Sequence, residues 1–98
     1  MNYGSYINES LRLCILRILM EIGGATANES LIEKISVKRF AFSEDRERLR
    51  TQIKWLAARG LVTLPDDCEK CLTPKLTAEG KRVATGLDEV EGVDMPSL

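Results

Sequence analysis

SEDRERLRTQIKWLAARGLVTL, residues 43–64, reads as one helix stopped by a glycine and delivered straight into a strand. Ser43 is an N-cap residue type whose hydroxyl can accept from the free amides of a first turn. Glu44 and Asp45 put negative charge at the positive end of the helix dipole. Leu49, Ile53 and Leu56 recur at i, i+4 and i+7, which places them on one stripe. Gly60 then takes the left-handed C′ position cheaply. Leu61-Val62-Thr63-Leu64 is short, apolar and partly β-branched, and Pro65-Asp66-Asp67 ends it as a turn.

Working outward toward the N-terminus, Asn28-Glu29-Ser30 has the form of a cap and first turn for a shorter helix. Leu31, Ile32 and Ile35 give it an apolar face, and the pattern ends near Val37 or Lys38. Lys38-Arg39-Phe40-Ala41-Phe42 forms the turn, with Phe40 or Phe42 expected in the core. Gly23 to Ala27 reads as a loop. Before it, Ser5 to Ile22 is helical, with Leu11, Ile15, Ile18 and Ile22 on one stripe and Cys14 and Leu19 flanking it. A second stripe, Leu13, Leu16 and Met20, lies on roughly the opposite side. Either the C-terminal helix or the hairpin covers that stripe, or it is the interface of a homodimer.

Toward the C-terminus, Leu72 to Leu76 is a returning strand that Pro74 should confine to an edge. Thr77-Ala78-Glu79-Gly80 caps a last short helix, with Val83 and Ala84 inward and Gly86 at its end. The fold expected is mostly α (α+β): a winged helix-turn-helix of three helices, a two-stranded β-hairpin wing and a short C-terminal helix. It fills residues 1–86. Residues 87–98 are an acidic tail, expected to be extended or partly disordered, whose Asp88, Glu89, Glu91 and Asp94 show no basic partner.

Composition narrows the chemistry. The 98 residues suit one domain, and 44% hydrophobic with 30% charged residues describe a globular chain. The formal net charge of −1 means that any affinity for nucleic acid must come from a local patch. The helix of residues 43–59 supplies one: Arg46, Arg48, Arg50, Lys54 and Arg59 against Glu47 give +4 from Arg46 onward. Arg50, Thr51, Lys54 and Ala58 point away from the apolar stripe, with Arg46 at the edge and Gln52 nearby. These are the side chains a recognition helix would offer to double-stranded DNA. The competing reading is a solvated face whose arginines pair with Glu44, Asp45 and Glu47 within the helix. Trp55, on the flank, reads as a core or hairpin-packing residue rather than a base-stacking one.

Histidine is absent, so the usual general base and the commonest metal ligand are missing. No Gly-rich phosphate loop and no nucleophile–base pair occurs, and the expectation is a protein that is not an enzyme, with no cofactor and no small-molecule substrate. Cys68-Glu69-Lys70-Cys71 provides two thiols where a structural zinc needs four ligands. It reads as unbound thiols, a disulfide across the hairpin tip, or half of a metal site shared between subunits, and no metal is assigned. No signal peptide or membrane-length apolar run is visible, and a cytoplasmic location is expected.

With the elements placed, the chain resembles a family of small winged-helix proteins of Mu-like phages and prophages. The resemblance runs over nearly its whole length. The matching residues are Leu11-Arg12-Leu13 and Ile15-Leu16-Arg17, Asn28-Glu29-Ser30-Leu31, Trp55-Leu56 with Gly60-Leu61-Val62-Thr63, and Leu76-Thr77 with Gly80, Val83-Ala84 and Gly86. Gly92-Val93 and Pro96-Ser97 match near the end, although Asp94-Met95 stand between them where the family tends to carry Lys-Arg. The resemblance implies a phage or prophage origin and the winged-helix fold. Function is then expected to be DNA binding, as in a homodimeric transcriptional regulator contacting DNA through Arg46, Arg50, Thr51 and Lys54. The alternative is a protein-interaction module in phage assembly or regulation without DNA affinity.

Overall fold

The computed structural model describes residues 3–40, 45–65 and 70–96. Four helices and one antiparallel hairpin follow in the order α1 (Tyr3–Glu21), α2 (Glu29–Phe40), α3 (Arg46–Ala58), β1 (Val62–Thr63), β2 (Lys75–Leu76) and α4 (Ala78–Ala84). The architecture is mostly α with a small β component, a layout consistent with a winged helix.

α1 is the axis, packed against α2, α3, α4 and β2. Both of its apolar stripes are therefore core. Leu11, Ile15, Ile18 and Leu19 are buried, and so are Leu13 and Leu16, the latter completely, with Met20 partly covered. This is the reading in which the chain's own elements close the second stripe. The surface on which the dimer expectation rested is interior, because a helix apolar on both sides must be surrounded. Cys14 is buried too, its thiol directed at Ser36 Oγ 3.8 Å away.

α2 starts where expected: Asn28 Oδ1 accepts from the Leu31 amide at 2.9 Å, satisfying a free donor of the first turn. It runs on to Phe40, past the expected end, with Lys38 and Arg39 at the negative end of its dipole and Arg39 paired to Glu21 of α1. The cap of α3 is Asp45 rather than Ser43, and Asp45 Oδ1 accepts from the Arg48 amide at 2.7 Å. Ser43, Glu44, Phe42 and Cys68 lie outside the described residues, as does the side chain of Phe40.

The end of α3 is as expected. Gly60 has φ +76°, its amide donates to Ala57 O, and the Leu61 amide reaches back to Leu56 O, the paired bonds of a Schellman stop. Leu49, Ile53 and Leu56 are buried, and Leu61 and Val62 carry the core into the hairpin. β1 pairs with β2 with Val62 opposite Leu76 and Thr63 opposite Lys75. β2 is not an edge: Thr26, in the expected α1–α2 loop, bridges Lys75 from the other side, and Leu76 N donates to Ala25 O at 2.8 Å. Pro74 sits just before the ladder, buried, its carbonyl accepting from Thr26 Oγ1 and Ala27 N, so its missing amide costs the sheet nothing.

Thr77 caps α4 by accepting from the Gly80 amide, and a second Schellman stop at Gly86 (φ +85°) ends it. The tail does not leave the domain. Arg82 holds Asp88 through two hydrogen bonds of 2.8 and 3.2 Å, Val93 is buried in the main core, and Asp94 N donates to Glu9 O. Residues 87–96 are irregular but anchored, since one apolar side chain in a core pocket and a few backbone bonds suffice to fix a short strap.

Candidate nucleic-acid interface

α3 presents two different polar sides, and its core stripe decides which is which. Directly opposite Leu49, Ile53 and Leu56, the residues Glu47, Thr51, Lys54 and Ala58 form the exposed stripe. Thr51 Oγ1 donates to Glu47 O at 3.0 Å, as a threonine in a helix commonly does. The remaining cations lie toward neighbouring elements, and most are engaged there.

Arg50 is only 17% exposed and donates at 2.6 Å to Glu29 Oε1 of α2. Glu29 itself has no solvent exposure. The same Oε1 accepts from the Leu72 amide at 2.6 Å, and the Glu29 amide donates to Leu72 O at 2.8 Å. One carboxylate thereby ties together the start of α2, the middle of α3 and the returning limb of the hairpin. Its second oxygen, Oε2, is buried without a hydrogen-bond partner among the described residues; Arg46 Nη1 lies 3.8 Å from it. Arg46 Nη2 is committed to Glu33 Oε1 at 2.8 Å, and that bond leads the effects that raise the guanidinium above its ordinary pKa. Arg46 and Arg50 of α3 thus find carboxylates on α2.

The other flank of α3 faces α1. Arg48 Nε and Gln52 Nε2 both donate to Asn8 Oδ1, and Gln52 Oε1 accepts from Arg12 Nε at 2.7 Å. Gln52 is buried, so it is not available as a neighbouring DNA contact. Burial is the main cause that lowers Arg12 from the ordinary guanidinium value. Arg12 also donates to Gly92 O at 2.8 Å and lies 3.9 Å from the centre of the Trp55 ring, with Arg59 4.5 Å from the same ring. Trp55 is half-buried, packed against the core and against the tail at Gly92.

Of the four proposed DNA contacts, Thr51 and Lys54 stand on the exposed stripe, Arg46 is exposed but paired, and Arg50 is turned into the domain. Glu29 and Glu33 were not singled out in the sequence. A signal existed: Glu29 shares the i, i+3, i+7 stripe of Ile32 and Ser36, both buried. On the hairpin, Lys70 and Lys75 are exposed. Among the described residues no cluster of three or more metal-ligating side chains occurs, and Cys71 is half-buried.

Comparison with known proteins adds an origin. The chain is 36% identical over 90 residues to gp26 of Escherichia phage Mu, covering 92% of this chain and 91% of that protein. It belongs to the gp26 family of phage Mu. A Haemophilus influenzae protein is 29% identical over 85 residues, covering 87% of this chain and 81% of its own length. Both relatives are described only as uncharacterized proteins. No family model matches the chain, and no solved structure matches it significantly. Among the described residues no helix is long and apolar enough to cross a membrane.

Proposed function

We propose that this member of the gp26 family is a non-enzymatic phage or prophage protein that binds double-stranded DNA through the exposed stripe of α3 and the hairpin that follows it. The observation that carries the reading is positional. The second helix of a helix–turn–helix pair has Thr51, Lys54 and Ala58 exposed to solvent on the side opposite its core stripe, and a hairpin bearing Lys70 and Lys75 comes next. Thr51 suits a phosphate or base-edge hydrogen bond, and the lysines act as point charges on the backbone. Arg50 positions α3 against α2 through Glu29 and is not itself a contact.

Fluorescence anisotropy of the protein on a random-sequence duplex, titrated at several salt concentrations, tests this. With Lys54, Lys70 and Lys75 each neutralising a phosphate, log affinity should fall against log salt with a slope of about −2.7 per chain. Lys54→Glu with Lys75→Glu should remove binding while the circular dichroism spectrum stays unchanged.

A second reading is a protein-interaction module without DNA affinity. It is favoured by the engagement of Arg46, Arg48 and Arg50 inside the chain and by exposed Leu31 and Val37 on α2. Absence of binding at the lowest salt would select it.

A further inference from the structure

We propose that Glu33 limits the DNA affinity of this protein by occupying Arg46 in place of a phosphate, so that the start of α3 adds a phosphate contact only when that carboxylate is removed. This rests on the DNA-binding reading above. The geometry distinguishes two ion pairs that look alike in the sequence. Arg50–Glu29 is locked: Glu29 has no exposure, and removing its arginine would strand a buried charge. Arg46–Glu33 is open to solvent, with side-chain exposures of 42% and 33%, so its guanidinium can leave without burying anything.

Arg46 also has a second acidic neighbour. Its Nη1 stands 3.8 Å from Oε2 of Glu29, which has no hydrogen-bond partner among the described residues, and this charge favours the guanidinium staying near the N-terminus of α3. A phosphate is the chemical equal of the Glu33 carboxylate for an arginine, because both accept two parallel N–H bonds. It also gains from the positive end of the α3 dipole. Glu33 therefore acts as an internal competitor that keeps non-specific affinity low.

The test is a double-mutant cycle read by anisotropy across a salt series. Glu33→Gln should tighten binding up to about fivefold, the ceiling set by a surface ion pair, and steepen the salt slope by about 0.9, one additional phosphate. In an Arg46→Gln background the same change should produce no such gain. The proposal is overturned if Glu33→Gln binds as the wild type does, which would mean that Arg46 turns to Glu29 instead. It is also overturned if the gain persists without Arg46, which would make the effect a general loss of negative charge. Thermal melting of Glu33→Gln within a few degrees of the wild type establishes that the fold is intact. A wild-type protein with no DNA affinity refutes the underlying reading, whereas a binding wild type with a flat cycle refutes only the role of Glu33.

Discussion

Glu29 is the residue whose loss the fold should feel most. A buried carboxylate serving Arg50, the Leu72 amide and the neighbourhood of Arg46 cannot be truncated without depriving a mostly buried cation of this carboxylate and leaving a buried backbone donor without its acceptor. Glu29→Ala should destabilise by about 3–5 kcal/mol, and Arg50→Met by a similar amount. The two together should cost less than their sum, since the apolar pair leaves no orphan charge; urea unfolding of the single and double variants measures this. Cys14 gives a pH-dependent counterpart. Burial is the main cause that pushes its thiol up from 9.0 to about 11, so the folded state prefers the protonated form. The associated stability is complete below pH 9 and is lost as pH rises toward 11, by about 2–3 kcal/mol. A drop in the urea midpoint between pH 8.5 and 10.5 that is smaller in Cys14→Ala checks it.

At the scale of elements, two glycines are required for different reasons, and alanine substitutions separate them. A Cβ on Gly60 meets nothing within 4 Å among the described residues, so Gly60→Ala should cost only the left-handed backbone, about 1–2 kcal/mol. A Cβ on Gly80 would lie 2.1 Å from Leu61 O, a backbone atom, and 2.7 Å from Leu76 Cδ1. Gly80→Ala must push α4 off the hairpin and should be the more damaging, at about 3 kcal/mol or more, although glycine-to-alanine in a helix ordinarily stabilises. Comparing the melting temperatures of the two variants decides the point. The glycine stop of α3, its apolar stripe and the Thr77 cap could all be read from spacing, because each depends on residues within one or two turns. The Thr26–Lys75 bridge could not, since it joins segments 49 residues apart with no local signature.

For the molecule as a whole, the tail is the structural surprise. Val93 enters the core, Gly92 lies against Trp55 with φ +98°, and Arg12 joins both. Truncation after Gly86 should therefore expose Trp55 and shift its fluorescence to longer wavelength, with a lower melting temperature. A tail that is merely solvated would leave both unchanged. Val93→Asp should reproduce the effect in the full chain, through a charge buried without a partner.

Local chemistry by itself determined the four helices, the hairpin, and the inward stripes of α3 and α4, because capping, glycine stops and 3.6-residue periodicity act over a few residues. On α2 the expected apolar face of Leu31, Ile32 and Ile35 is only partly inward, since Leu31 is exposed and Glu29 and Ser36 are buried beside Ile32. It also marked α3 as the basic helix. Only the tertiary structure decided what those charges do. Arg46 and Arg50 meet carboxylates of α2 that stand 13 and 21 residues away, Gln52 is covered by α1, and the Leu13–Leu16 stripe is closed by the chain itself. A charge count fixes how many cations a helix carries. Whether each one reaches solvent or a buried carboxylate depends on which neighbour the packed core brings within hydrogen-bond distance.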